Sequence, residues 1–371
     1  MCMRILQIIP DLAIGGAERL VVQLTVEQQI QGHEVHLATL YGPRDNHNQT
    51  YLQDHKVPIT HLEKNIGLDL RLIVKLQTLI TNLRPDVIHT HQYSTKYVLP
   101  EVLRAQRAML HTVHSLPEKE LTRRDRVIQR LAYRRGVIPV AVADEVARGM
   151  QRLYNVRAPV IPNGVNVDRL HAGGVTRAET RRREGWAHDH VVVLSVARLS
   201  APKDHSTLLR AFALAQASQP TLRLSLAGDG ILRPELEALA AELGIQQWVQ
   251  FLGVRSDIEQ LLGGADASVL SSDYEGSPLS VMEAMAAGRA VVASNVGGVA
   301  ELICHNVNGL LFEAGNVSML AGQLERLTHA EERQRLGTAA HQTARAKFSI
   351  SAMARAYLEL CGQTHKQGYS A

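Results

Sequence analysis

The chain has 371 residues, 45% of them hydrophobic, with a net charge of +4 and three cysteines. That length exceeds what one hydrophobic core normally supports, so two domains are expected, and the apolar content can fill both cores. No apolar run approaches the ~18 residues of a membrane span, and Cys2, Cys304 and Cys361 lack disulfide or metal spacing, so a soluble protein of a reducing cytoplasm is expected.

The N-terminus lacks the long apolar core and small-residue cleavage site of a signal peptide and already reads as a strand, Arg4–Ile9. Further strands are predicted at Glu34–Tyr41, Ile59–Leu62, Val87–Thr90, Met109–Val113, Val137–Ala143 and Ala158–Ile161, with helical patterns such as Ala17–Gln31 and Leu70–Asn82 between them. This alternation signals parallel α/β construction. After the first strand, Gly15-Gly16 opens a helix without forming the G-x-G-x-x-G of a dinucleotide site, and a plain helix-starting turn explains it equally well. His89 and His91 share one side of their strand, but no cysteine or third ligand joins them, so no metal is predicted.

Residues 1–168 hold 21 Lys and Arg against 16 Asp and Glu. The excess is densest from Glu118 to Arg135, where Arg123, Arg124, Arg126 and Arg130 lie on a predicted helix, Leu121–Arg135. Aromatic residues make up 4% of the chain, too few for nucleic-acid stacking platforms, so an anionic membrane face or a phosphorylated acceptor fits better. Ordinary packing of this helix on its own domain stays open beside interfacial docking.

Residues 171–185 are glycine- and arginine-rich with little apolar content, so a linker is expected over 169–188, between a first domain at 1–168 and a second at 189–347. In the second domain strands are predicted at Val191–Ala197, Leu222–Ala227, Val249–Leu252, Ala267–Leu270 and Ala290–Ala293. The fold class is therefore α/β, two doubly wound, Rossmann-like parallel sheets facing across a cleft, with ligands at the carboxyl ends of the strands.

The stretch from Asp273 to Gly288 carries the chemistry. A short buried strand is followed by a loop with Glu275, by Pro278 in the first turn of a helix, and by Glu283 within that helix. Free N–H groups at the helix start, including those of Leu279 and Ser280, make an anion site. Two carboxylates beside it accept from hydroxyls, Glu283 about a turn in and Glu275 at the mouth. Phosphate next to a polyol reads as a nucleotide sugar.

The E-x7-E spacing resembles the signature of the group 1 family of retaining GT-B glycosyltransferases. Gly15-Gly16-Ala17-Glu18, Thr112-Val113-His114, Ile161-Pro162-Asn163-Gly164-Val165, Arg198 with Lys203, Ala227-Gly228-Asp229-Gly230 and Gly297-Gly298-Val299-Ala300-Glu301 also occur in family order. The resemblance implies that Arg198 and Lys203 bind the donor diphosphate, that Glu283 accepts from the ribose and Glu275 lies near the transferred sugar, and that His114 contacts that sugar. It implies that Gly253, Val254 and Arg255 read the base through backbone groups, and that Gly15 and Gly16 approach the diphosphate from the opposite wall. It also implies that the last apolar-periodic segment, within 348–371, crosses back onto the first domain. The chain departs from the family where Ala197 and Asp204 replace glycines and where Ser277-Pro278-Leu279 replaces Phe-Gly-Leu.

The function implied is transfer of a sugar from a nucleoside-diphosphate sugar, a UDP-sugar first, to a hydroxyl of a saccharide or lipid-linked acceptor in cell-surface polysaccharide or glycolipid assembly. No cofactor is expected, and no D-x-D metal-diphosphate device is present. The expected location is cytoplasmic, at the inner face of the cell membrane if the basic helix docks there. Two alternatives stand beside this reading: a nucleotide-sugar epimerase of the same fold, and a catalytically silent nucleotide-sugar-binding protein. The residues leave base, sugar, acceptor and oligomeric state open.

Overall fold

The computed structural model describes residues 2–65, 67, 69–104 and 107–367. The chain forms two compact units, Met1–Gly164 with Ile350–Ala371, and Val165–Ser349. The end of the expected C-terminal segment, 368–371, lies outside the described residues.

In the first unit, strands β1 (Arg4–Ile9), β2 (Glu34–Thr39), β3 (Ile59–His61), β4 (Val87–His91), β5 (Ala108–Val113) and β6 (Ile138–Ala141) form one sheet in the order β3-β2-β1-β4-β5-β6. Every pairing in it is parallel. Runs such as Ile-Leu-Gln-Ile-Ile are buried on both faces, as strands covered by helices on each side must be. The expected strand at Ala158–Ile161 shrinks to a single bridge between Val160 and Ala141. Helix Ile350–Gln367 packs in this unit against helix Gly16–Ile30, where Ser351 Oγ donates to Glu27 Oε1 at 2.6 Å. Buried Tyr357 on the same helix shares a hydrogen bond with Thr112 of β5 at 3.0 Å.

The second unit repeats the plan with β7 (Val191–Val196), β8 (Leu222–Ala227), β9 (Val249–Gly253), β10 (Ala267–Leu270), β11 (Ala290–Ser294) and β12 (Leu310–Phe312), ordered β12-β11-β10-β7-β8-β9 and parallel throughout. Phe212, Phe312, Leu224 and Val292 are among its buried core residues. Each sheet reverses its strand order once, between β1 and β4 and between β7 and β10. Those reversals open crevices at the carboxyl ends of the strands.

Residues 169–188 are not a linker. Helices Val167–Ala172 and Arg177–Glu184 belong to the second unit and pack on helix Ile258–Gly264. Asn166 and Thr176 cap their starts, and left-handed Gly173 and Gly185 end them. The arginines that suggested a solvated segment are structural: buried Arg181 donates to the carbonyls of Gly264, Ala187 and His190 and pairs with Asp266 at 3.0 Å. A guanidinium with five donors can satisfy that many acceptors, so it anchors a segment that composition alone reads as polar.

Candidate active site

The loop after β7 carries Arg198 and Lys203. Its path needs the glycines of the Ala227–Gly230 motif, because a Cβ on Gly228 would lie 1.9 Å from the Ala197 carbonyl oxygen and one on Gly230 2.2 Å from that of Leu199. The Leu199 N–H donates to Asp229 O at 3.0 Å, fixing the loop next to exposed Arg198. Residues 201–203 make one 3-10 turn, and Asp204 follows in the left-handed region at φ 39°. Glycine suits such a position, and aspartate is among the few residues that tolerate it. Here its carboxylate also caps helix His205–Ser218 by accepting from Thr207 N–H at 3.2 Å.

The loop after β10 meets it across the strand-order reversal. Asp273 N–H donates to Pro202 O at 2.9 Å, and Ser271 Oγ donates to Lys203 O at 2.8 Å. Lys203 Nζ then lies 2.5 Å from Glu275 Oε1, which also accepts from Ser272 Oγ at 2.6 Å. Glu275 is 9% exposed, so it sits inside the crevice rather than at the mouth where the sequence reading put it. Its backbone is held by the second glycine motif: Gly298 N–H donates to Glu275 O at 3.2 Å, and a Cβ on Gly297 would lie 2.1 Å from that oxygen.

Pro278 occupies the position just before helix Leu279–Ala286, not its first turn. The N–H groups of Leu279, Ser280 and Val281 are the leading ones of this helix and have no carbonyl one turn back. A helix start also carries the positive end of the helix dipole. Glu283, on the same helix, is 2% exposed. In the second unit Lys203 and Glu275 are thus in contact, Arg198 lies on the loop that carries Lys203, and Leu279, Ser280 and Glu283 lie on the helix that follows Glu275.

The base-reading segment is placed differently. Gly253 is left-handed at φ 67°, and its carbonyl accepts from Gly228 N–H at 2.8 Å, while Val254 is exposed. The Arg255 guanidinium is bound by Asp257 at 2.8 Å and by both Glu184 oxygens at 2.8 and 2.9 Å. These carboxylates raise its pKa further above the ordinary arginine value, and its side chain is a structural tie to helix Arg177–Glu184.

In the first unit, extended Gly15 precedes helix Gly16–Ile30, and Glu18 Oε1 accepts from Gln92 Nε2 at 2.8 Å. His114 lies just past β5. Its Nε2 is 3.0 Å from His91 Nδ1, and His91 Nε2 is 2.8 Å from Gln7 Oε1. The backbone N–H groups of His114 and Ser115 both donate to Glu120 Oε2, at 2.8 and 2.9 Å. Burial lowers the His114 pKa to about 4 and that of His111 to about 3. It raises the Glu120 carboxyl to about 8 against the opposing pull of the two N–H bonds. His89 is bonded to Thr112 at 2.8 Å, so His89 and His91 are spent on hydrogen bonds within the sheet. Sequence reasoning missed Gln7 and Glu120. A glutamine inside the apolar run of β1 was the available signal for Gln7.

A family model described as "Glycosyl transferases group 1" matches residues 176–343, and "Glycosyltransferase Family 4" matches 14–169. The D-inositol 3-phosphate glycosyltransferase of Thermobispora bispora is 30% identical over 314 residues, 76% of this chain and 72% of that protein. The chain belongs to the group 1 glycosyltransferases. Another relative of this glycosyltransferase, EpsD of Bacillus subtilis, is 33% identical over 200 residues, 53% of this chain and only about half, 52%, of EpsD. Among solved structures, Anabaena Alr3699/HepE in complex with UDP and glucose superposes with a TM-score of 0.83 over 97% of this chain and 100% of that one, at 22% identity. The two six-stranded parallel sheets and these neighbours fit the α/β GT-B class. The group 1 match contains every site residue of the second unit, and the family 4 match contains Gly15, Gly16 and His114.

The basic helix of the glycosyltransferase spans Arg123–Arg134, capped by Thr122. Gln129, Ala132 and Tyr133 face the first-unit core. Arg126 donates to the carbonyls of Leu121 and Glu118, and Arg130 to that of Leu153, so these two of the four expected membrane-facing arginines are tied to their own unit. Arg123, Arg124 and Arg134 are exposed beside Val127 and Leu131, which are 67% and 38% exposed. Among the described residues, no helix is long and apolar enough to cross a membrane.

Proposed function

We propose that this chain is a retaining glycosyltransferase that moves a hexose-type sugar from a nucleoside-diphosphate donor, a UDP-sugar first, to a hydroxyl of a saccharide or lipid-linked saccharide acceptor. The observation that carries the reading is the Lys203–Glu275 contact beside the β7/β10 reversal, made by two loops of which one also carries Arg198 and the other leads into the helix of Leu279, Ser280 and buried Glu283. Arg198, Lys203 and the helix start oppose the charge that builds on a departing diphosphate. Glu283 accepts from ribose hydroxyls, and Glu275, already held by Lys203 and Ser272, accepts from the sugar. The bond from the anomeric carbon to the phosphate oxygen breaks with both electrons leaving on oxygen. The acceptor hydroxyl bonds to the same carbon from the same face, and its proton passes to the departing phosphate. The resemblance to the E-x7-E family supports retention. No metal has a part in this reading, so activity survives EDTA; activity lost with EDTA and restored by Mg²⁺ or Mn²⁺ removes that element.

The exposed Val127 and Leu131 among Arg123, Arg124 and Arg134 favour reversible docking of the first unit on an anionic leaflet, which places the enzyme beside a lipid-linked acceptor at the inner face of the membrane.

A thermal-shift series with nucleoside diphosphates and their sugars tests the donor. Binding to the folded state raises the midpoint with ligand concentration relative to the dissociation constant, so a true donor gives a concentration-dependent rise. Flat midpoints for all of them, with no sugar transferred or hydrolysed, overturn the reading. The anomeric configuration of the product, read by NMR, tests retention.

A further inference from the structure

Among the buried polar groups of the first unit, Gln28, Gln7, His91 and His114 form one unbroken line. Gln7 Nε2 donates to Gln28 Oε1 at 2.9 Å, which directs Gln7 Oε1 toward His91 Nε2 at 2.8 Å. An amide oxygen only accepts, so His91 Nε2 carries a hydrogen. His91 is 1% exposed among three other histidines, and burial and those neighbours keep it neutral. His91 Nδ1 is therefore an acceptor, and the 3.0 Å contact with His114 Nε2 needs a hydrogen on the His114 side. That leaves His114 Nδ1 with a bare lone pair, and Nδ1 is buried without a hydrogen-bond partner among the described residues. A buried acceptor left unsatisfied costs stability, which is the pattern expected where a ligand supplies the missing donor.

We propose that Gln7 and His91 are positioning residues that lock His114 in its Nε2–H tautomer, so that Nδ1 accepts a hydrogen bond from a sugar hydroxyl. The tautomer stands on the hydrogen bonds of buried, neutral rings; the hydroxyl as its partner rests on the glycosyltransferase reading above. Glu120 completes the placement by holding the His114 and Ser115 N–H groups, which fixes the backbone from which the ring projects.

Long-range ¹H–¹⁵N correlation on ¹⁵N-histidine-labelled protein reads the tautomer directly, because Nε2 couples strongly to both ring C–H protons and Nδ1 to one. His114→Asn assigns the ring. The protonated nitrogen of His114 should be the one with both cross-peaks; a protonated Nδ1 in the wild-type chain overturns the inference even if donor binding is normal. Gln7→Met removes the acceptor and should give mixed tautomers at both rings, and Gln7→Glu should restore one. If Gln7→Met does not fold, the wild-type spectrum still decides. With folded Gln7→Met, binding of nucleotide alone should be unchanged, while binding of nucleotide sugar or the KM for acceptor should weaken about fivefold, the scale of one neutral hydrogen bond. A change in the first identifies the donor sugar as the source of the hydroxyl, a change in the second the acceptor. Shifted tautomers with neither changed remove the role in binding. No donor binding by wild-type protein with the expected spectrum removes the glycosyltransferase reading and leaves the tautomer in place.

Discussion

Lys203 Nζ and Glu275 Oε1 lie 2.5 Å apart, 72 residues apart in sequence, and join the two loops that flank the strand-order reversal of the second sheet. An ammonium held by one carboxylate keeps further hydrogens free to meet an anion. The pair thus orders the loops before a ligand arrives.

Arg198→Ala and Lys203→Ala should each lower turnover about 10²-fold, by analogy with the removal of a donor to developing charge. Lys203→Ala should also cost about 1–3 kcal/mol of stability, because it leaves the buried Glu275 carboxylate with only Ser272 among the described residues, and Lys203→Ala/Glu275→Gln should recover part of that loss. Denaturant midpoints and turnover on the same preparations measure both. Wild-type rates in both single variants remove the diphosphate assignment.

Glu283→Gln should raise the donor KM more than it lowers kcat, since a ribose contact is made equally in ground and transition states. Steady-state kinetics with varied donor check it. A large fall in kcat at unchanged donor KM contradicts the ribose role.

Gly297→Ala should destabilise the second unit and reduce activity well beyond the ~1 kcal/mol usual for glycine substitutions, because its Cβ would sit 2.1 Å from the Glu275 carbonyl oxygen at a φ of 47°. Gly322, where an added Cβ would meet open space, is the control. Equal melting temperatures for the two alanine variants would show that Gly297 does not hold the Glu275 loop.

Stability should fall as pH drops below neutral. Burial depresses His114 and His205 to about 4 and His111 to about 3, and holds His89 and His91 low, from an ordinary 6.5. Above 6.5 these groups are neutral folded or unfolded; between 6.5 and about 4 only the unfolded chain takes up their protons, so stability is lost through that window. Glu120, raised to about 8 from 4.5, acts in the opposite sense, and its contribution is lost as pH rises through about 8. Maximum stability is expected near pH ~6.5–7. Urea midpoints across the range test this; a midpoint that does not move between pH ~5 and ~7 argues against buried neutral histidines.

Cosedimentation with anionic liposomes at low salt should exceed that with neutral liposomes and disappear at high salt, since exposed charges are screened beyond a Debye length. Arg123→Glu/Arg124→Glu/Arg134→Glu should abolish it, each cation contributing about 1 kcal/mol near the surface. Equal recovery in the supernatant for both lipids makes the helix a packing element.

The amino-acid sequence by itself determined the α/β class and most of the strand positions, because strands buried on both faces are continuous apolar runs and helix starts carry their capping residues locally. It also brought out the glycine motifs, whose requirement is as local as the absence of a Cβ. Its linker was wrong for a physical reason: Arg181 is polar in composition, yet its burial is made possible by Asp266 and three carbonyls, one near that aspartate and two beyond the helix. Only the tertiary structure decided that Glu275 is buried against Lys203, that Arg255 is occupied by Glu184 and Asp257, and that Gln7 reaches His91 across 84 residues of chain. Hydrogen bonds and ion pairs over such separations depend on strand order and loop path. No local propensity or spacing encodes which partner a buried polar group will meet.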